Sequence, residues 1–117
     1  MSGLTSYHAG LAAEGAVENH YVRTGYEIAD RRWRGAGGEI DIVARDGEDL
    51  VFVEVKKSRD FARAAEQLSQ RQMVRIYNTA SEFLAGEPKG QDTNVRFDVA
   101  LMDEAGQIQV IENAFGQ

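Results

Sequence analysis

Cysteine is absent from this chain of 117 residues, and proline and tryptophan occur once each. Without cysteine there is no disulfide framework, no thiolate metal site and no cysteine nucleophile. No purely apolar run exceeds four residues, as in 50–53 and 99–102, which excludes a membrane-spanning segment. The first ten residues, MSGLTSYHAG, contain neither the basic region nor the apolar region of a secretory signal, so no such signal is expected. We therefore expect a cytoplasmic protein.

The chain also lacks an excess of positive charge. It has 13 basic and 19 acidic residues, for a net charge of −6, whereas coating nucleic acid non-specifically requires many basic side chains. The basic residues are unevenly distributed, because 11 of the 13 fall within residues 23–75. One interpretation is that the basic residues of this segment form a single face. Its members would be Arg31, Arg32, Arg34, Lys56, Lys57, Arg59, Arg63, Arg71 and Arg75. The alternative is a chance mixture of solvated charges.

What is present is typical of a globular domain. The hydrophobic fraction is 43% and the charged fraction 27%. A folded chain of this mass buries about two-thirds of the surface that it exposes when unfolded. We predict a single domain over residues 1–117.

The first predicted element is a helix over residues 4–23. Apolar residues recur there at steps of three and four: Leu4, Tyr7, Leu11, Val17 and Tyr21. Glu14 falls on the same stripe. A carboxylate facing the core costs free energy unless it is paired, protonated or bound to a metal. Glu14 is therefore a candidate functional residue.

The rest of the chain predicts strands around one further helix. Strand-like segments cover residues 26–34, 39–45, 50–57, 95–102 and 107–111. The capping-box pattern of Ser69 and Gln72 predicts a helix over about 70–85, closed by Gly86 and Pro88. Residues 61–68 fit either a loop or a short helical turn. The order α-β-β-β-α-β-β indicates an α/β fold.

The second and third strands should form a hairpin around residues 46–48. If Gly47 and Glu48 form the loop, Asp41 lies opposite Glu54. If Asp46 and Gly47 form it, Glu54 lies diagonal to Asp41. Both registers place Asp41, Glu54 and Lys56 on one face of the hairpin, whereas a bulge or a three-residue loop would separate them.

These three side chains suit metal-assisted phosphodiester hydrolysis. Two neighbouring carboxylates repel each other, and Mg²⁺ or Mn²⁺ relieves that repulsion. A lysine beside them can orient a water or offset charge on the phosphorane. The alternative is a surface ion cluster, but Glu54 lies within the apolar run 51–55, which favours a functional site.

The motifs together resemble a known family. The pattern D-(x)12-E-x-K after a helix with a glutamate resembles the PD-(D/E)xK nuclease superfamily, which has the restriction-endonuclease-like fold. More closely, the chain resembles the YraN-like family of small bacterial proteins. The matching segments are GLAAE at 10–14, GY at 25–26, RWR at 32–34, GEID at 38–41, VFVEVK at 51–56, RFD at 96–98 and NAF at 113–115.

The resemblance implies a central mixed β-sheet flanked by helices. It implies that Asp41 and Glu54 are metal ligands and that Lys56 is the catalytic lysine. Glu14 would reach the same site as a further acidic ligand or orienting group. Glu39 matches the family's GEID segment as a possible auxiliary residue, although an ion pair with Arg32 or Arg34 explains it equally well.

One departure from the family pattern is Gln72, where a lysine is frequent. Gln72 can bind a phosphate oxygen or a water, but its role as the capping-box partner of Ser69 is favoured. The other departure is the low isoelectric point of about 4.9, which weakens the case for binding long duplex DNA. Candidate nucleic-acid contacts are Arg32, Trp33, Arg34, Lys57 and Arg59, with packing over the sheet edge as the alternative for Trp33.

The leading hypothesis is a Mg²⁺- or Mn²⁺-dependent nuclease that acts on DNA, with branched, flapped or single-stranded substrates. One alternative is a non-catalytic nucleic-acid-binding or accessory domain that keeps the fold. A second alternative is an interaction module in which the acidic cluster is an ion-pair network. No sequence feature indicates a dimer interface.

Overall fold

The computed structural model describes the backbone of residues 3–115 and the side chains of residues 12–115. Three α-helices are present in this part of the chain: α1 (Gly3–Arg23), α2 (Phe61–Glu66) and α3 (Gln70–Leu84). The strands are β1 (Glu27–Arg34), β2 (Glu39–Asp46), β3 (Asp49–Lys57), β4 (Val95–Met102) and β5 (Ile108–Ile111). A short 3₁₀ turn covers Gly90–Asp92. The predicted order of elements is confirmed. Residues 61–68, which fit either a loop or a short helical turn, contain α2.

The five strands form one mixed sheet in the order β1-β2-β3-β4-β5. Neighbouring strands are antiparallel except β3 and β4, which are parallel. Parallel neighbours require a crossover connection, and α2 and α3 supply it. The crossover places α3 beside the β2–β3 hairpin, where the predicted site residues lie.

The hairpin turn uses Gly47 and Glu48. Asp46 pairs with Asp49, and the register continues to Ile42 and Val53. Gly47 has a φ of +63°, a left-handed conformation that glycine adopts at low cost. This is the first of the two predicted registers, the one that sets Asp41 and Glu54 opposite each other.

Helices cover both faces of the sheet. Val17 and Tyr21 of α1 pack against Ile42, Val51 and Val53 on one face. Val17 and Tyr21 are buried as predicted, whereas the side chains of Leu4, Tyr7 and Leu11 lie outside the described residues.

The other face is covered by α3. Ile76, Ala80 and Leu84 pack there against Phe52 and Phe97. The Ser69 hydroxyl accepts a 3.1 Å hydrogen bond from the backbone N–H of Gln72, so the predicted N-cap is present. In the described part of the chain, no helix is long and apolar enough to cross a membrane.

Candidate active site

A cleft of about 300 Å³ lies where β2 and β3 separate. Its walls come from α1, β2, β3 and α3, and they carry four carboxyl groups, a lysine and an arginine. The lining residues are Glu14, Gly38, Glu39, Asp41, Glu54, Val55, Lys56, Gln72, Arg75 and Ile76. The cleft therefore brings together the four residues that the sequence assigned to catalysis.

Asp41 occupies the point where the β2–β3 ladder stops. The last paired residues are Ile42 and Val53. Beyond them, the backbone N–H of Val55 donates a 2.8 Å hydrogen bond to Asp41 Oδ2. A side-chain oxygen thus replaces a backbone carbonyl as the acceptor, which fixes the Asp41 carboxylate while the two strands diverge.

Glu54 is the most deeply buried of the cleft carboxyl groups, with 7% of its surface exposed. Its carboxyl group is within hydrogen-bonding reach of Asp41, and Gln72 Nε2 donates a 3.0 Å hydrogen bond to its Oε2. Burial, and then the neighbouring Asp41, raise the pKa of Glu54 to about 9. Without a cation, Glu54 is therefore protonated near neutral pH.

Lys56 lies beside this carboxyl pair. Its Nζ is 4.0 Å from Glu54 Oε2, and only 16% of its side chain is exposed. The ammonium group is thus close enough to interact with Glu54 and with a group bound in the cleft, but it does not form a tight ion pair.

Glu14 reaches the cleft from α1, and Arg32 holds it there. Arg32 Nε lies 2.9 Å from Glu14 Oε1, and Arg32 Nη2 donates to Oε2 at 3.4 Å. Burial raises the pKa of Glu14, the hydrogen bond from Arg32 opposes this shift, and Asp41 adds to it. The ion pair explains how a carboxylate is accommodated on the apolar stripe of α1.

Two auxiliary candidates also line the cleft. Glu39 forms a 3.1 Å ion pair with Arg34, as one reading of the sequence predicted. The favoured interpretation of Gln72, that its side chain completes the capping box with Ser69, was wrong. The amide instead donates to Glu54, because the first turn of α3 faces the cleft and Glu54 is a buried acceptor.

The candidate nucleic-acid contacts are more dispersed. Trp33 packs edge-to-face on Phe83 of α3, with ring centroids 5.3 Å apart, which agrees with packing over the sheet edge. Lys57 and Arg59 are exposed outside the cleft lining. Within the predicted basic face, ion pairs hold Arg31, Arg32, Arg34 and Arg63, and Lys56 lies 4.0 Å from Glu54. About half of the basic residues of this face therefore lie beside a carboxylate.

A second buried polar network was not predicted from the sequence. The Tyr21 hydroxyl donates a 2.7 Å hydrogen bond to Asp98 Oδ2, and Arg96 binds both oxygens of Asp98 at 2.8 Å. Asp98 is 1% exposed and also accepts from the backbone N–H of Asn113. The available signal was Asp98 itself, a charged residue within the apolar strand β4. Its donors all come from this chain, so the network ties α1 and the C-terminal segment to the sheet.

The donor set of the cleft suits a hard divalent cation. In the described residues, no group of three or more His, Cys, Asp or Glu side chains is arranged to hold a metal ion. Mg²⁺, however, binds through one or two carboxylates with water and substrate phosphates completing its coordination. Asp41 and Glu54 provide such a pair, and a bound cation would offset the cost of ionising the buried Glu54 beside Asp41.

The architecture defines the class of fold. A mixed five-stranded sheet flanked by helices, in this order of elements, is the restriction-endonuclease-like architecture expected from the sequence. The chain belongs to the family described as "Uncharacterised protein family UPF0102", whose model matches residues 13–102. This agrees with the YraN-like resemblance of its motifs.

Relatives in this family match over nearly the whole chain. A UPF0102 protein of Cereibacter sphaeroides strain KD131 is 61% identical over 115 residues, which cover 98% of each chain. One from Ruegeria pomeroyi is 58% identical over 114 residues, covering 97% of this chain and 93% of its own. One from Dinoroseobacter shibae is 44% identical over 111 residues, covering 95% and 83% respectively.

Proposed function

We propose that the protein is a Mg²⁺- or Mn²⁺-dependent nuclease that hydrolyses phosphodiester bonds in DNA. The observation that carries this proposal is the carboxyl pair of Asp41 and Glu54, within hydrogen-bonding reach of each other and beside Lys56 in an open cleft. Burying two carboxyl groups together costs free energy. A structural role alone gives no reason for that cost, whereas a cation site does.

Asp41 and Glu54 would hold the cation. When bound, Mg²⁺ or Mn²⁺ supplies a Lewis acid for the phosphoryl oxygen and lowers the pKa of a bound water. The Val55 N–H keeps Asp41 oriented, and the Gln72 amide does the same for Glu54. Both donors stabilise the ionised carboxylates without adding a net charge.

Lys56 and Glu14 would assist from the two sides of the cleft. The Lys56 ammonium orients the attacking water and offsets negative charge as the phosphorane forms. Glu14, whose two oxygens are engaged by Arg32, is better suited to orienting a water than to direct coordination of the cation.

The substrates proposed are branched, flapped or single-stranded DNA. Most arginines near the cleft are ion-paired and the net charge is −6, so the surface suits contact with only a few phosphates. One such cleft cuts one strand, which fits single-strand incision at a branch.

Calorimetric titration with Mn²⁺ and Mg²⁺ tests the cation site. The wild type should bind cation, and Asp41→Asn/Glu54→Gln should not. The matched control Glu66→Gln/Glu104→Gln removes two exposed carboxylates outside the cleft and should bind like the wild type. No binding by the wild type at millimolar cation, with DNA present, would contradict the proposal.

Cleavage of a panel of flapped, branched and single-stranded DNAs tests the chemistry. Lys56→Met should lose activity by about 10²-fold or more, since charge stabilisation in a transition state is worth several kcal/mol. Lys89→Met is the control, because Lys89 is exposed and pairs with Glu48 away from the cleft. Equal activity of both variants would exclude a catalytic Lys56.

Gln72, an uncharged cleft residue where the resembling family frequently has a lysine, supports a second candidate, a DNA-binding domain without catalysis. DNA binding by the wild type, with no cleavage of any substrate in either cation, would favour this candidate. An absence of DNA binding at low salt would instead favour an interaction module.

A further inference from the structure

Arg75 is the one arginine in the described lining of the cleft. It lies on α3, one turn after Gln72, and lines the carboxylate cleft. It also lines an adjoining depression of about 400 Å³, formed by residues 34–39. The two depressions share Gly38, Glu39 and Arg75, so they lie side by side with Arg75 at their border.

The Arg75 side chain lies against Gly38. A Cβ on residue 38 would be 2.9 Å from Arg75 Cδ, which is closer than such contacts allow, and Gly38 has a φ of +152°. Glycine at this position therefore leaves room for the arginine stem. Arg75 as a whole is exposed, so its stem packs on Gly38 while its charged end remains accessible at the border of the two depressions.

Arg75 differs from the arginines of β1 in its charge environment. Arg31, Arg32 and Arg34 each form an ion pair. Within the described side chains, no carboxylate forms an ion pair with Arg75 or with Arg71, which precedes it by one helical turn. Like charges four residues apart destabilise a helix, and no ion pair among the described side chains offsets this repulsion.

We infer that Arg75 binds the DNA backbone phosphate next to the one that is cleaved, with Arg71 adding to the positive field. This inference rests on the proposed function and names the contact that guides the strand into the cleft. A strand with its cleaved phosphate beside Asp41 and Glu54 continues past Gly38 into the adjoining depression. Arg75 lies at that junction, and its guanidinium group can bind a phosphate through two parallel hydrogen bonds.

Fluorescence anisotropy tests this contact with a labelled single-stranded oligonucleotide and a labelled flap, in Ca²⁺ and at several salt concentrations. Arg75→Gln should weaken binding about three- to tenfold and make the slope of log K against log[salt] shallower by about 0.7 on the single strand. Arg75→Lys should recover part of the affinity, because it keeps the charge.

Arg23→Gln is the matched control. Arg23 is exposed at the end of α1, nine residues after Glu14 and thus about 13 Å along the helix axis from it. It should keep wild-type affinity and salt slope. In cleavage assays, Arg75→Gln should raise KM by the same factor as it weakens binding and change kcat by less than about twofold.

The inference and the proposed function can fail separately. Equal affinity and salt slope for Arg75→Gln, Arg23→Gln and the wild type would overturn the inference while cleavage stands. DNA binding that depends on Arg75, without cleavage in Mg²⁺ or Mn²⁺, would support the phosphate contact of Arg75 and contradict the nuclease. If the wild type binds neither the single strand nor the flap, both the inference and the proposed function are overturned.

Discussion

Asp41 accepts a 2.8 Å hydrogen bond from the backbone N–H of Val55, on the strand that faces it. The bond stands where a regular antiparallel ladder would use a backbone carbonyl. It lets β2 and β3 separate without leaving the Val55 N–H unsatisfied. The opening of the cleft and the orientation of its first carboxylate therefore have the same origin.

Substitution of Asp41 should distinguish this structural role from cation binding. Asp41→Ala leaves a partly buried N–H without its acceptor and should lower the free energy of unfolding by about 1–3 kcal/mol. Asp41→Asn keeps an acceptor oxygen and should cost less than about 1 kcal/mol. Urea denaturation of both variants measures this difference, and equal stabilities would show that the Val55 bond contributes little.

Glu54→Gln should stabilise the cation-free protein. Burial and Asp41 raise the pKa of Glu54 from 4.5 to about 9, so the fold favours the protonated carboxyl group. Stability from this group is complete below pH 4.5 and is lost as pH rises towards 9. Glutamine has no such loss, and it should raise the free energy of unfolding by about 1–3 kcal/mol at pH 8.

Denaturant titrations between pH 4.5 and 9 check the sign of this effect. The advantage of Glu54→Gln should grow with pH across that interval and nearly vanish at its acidic end. Glu66→Gln, which changes an exposed residue at the end of α2, serves as the control. A stability difference that is independent of pH would mean that burial of Glu54 is not the cause.

Tyr21→Phe should destabilise the fold without changing cation binding. The substitution removes the 2.7 Å hydrogen bond to Asp98 from the face of the sheet that α1 covers. The expected loss is about 1–2 kcal/mol. Asp98→Ala should cost more, about 3–5 kcal/mol, because it also removes the partner of Arg96. Thermal denaturation and Mn²⁺ calorimetry on the same variants separate the two effects.

Glu82→Ala should loosen the loop that leads into β2. The Glu82 carboxylate accepts hydrogen bonds from the backbone N–H groups of Ala36 and Gly37, at 2.8 and 3.1 Å. Without it, hydrogen exchange at these two amides should accelerate by about tenfold, as expected for the loss of roughly 1–2 kcal/mol of local stability. Unchanged exchange at both amides would show that the loop is held by other contacts.

The sequence predicted the hairpin and its site because strand parity is a local property. The turn near Gly47 restricted the pairing of the two strands to two registers, in which Glu54 lies either opposite Asp41 or diagonal to it. Either register put both carboxylates on one face, so the site did not depend on the choice. The helix α3 could be predicted for the same reason, since its cap and its apolar spacing both lie within residues 69–84.

The contacts missed by the sequence analysis join distant parts of the chain. Tyr21 and Asp98 are 77 positions apart, and Glu82 binds a loop 45 and 46 positions before it. No periodicity encodes such partners, because they depend on how α1 and α3 dock on the sheet. The same holds for Gln72. Its backbone role at the helix cap was predicted from the local sequence, whereas the partner of its side chain, Glu54, lies on another element.

The Gly47–Glu48 turn stands at the far end of the hairpin from the cleft. Asp46 lies five positions along the extended strand from Asp41, a span of roughly 17 Å. The Glu48 side chain is 75% exposed, and the chain has no cysteine. A single cysteine at position 48 would therefore be a unique thiol for a dye or a surface tether, and spectroscopic or single-molecule observation of the cleft could proceed with the label well away from it.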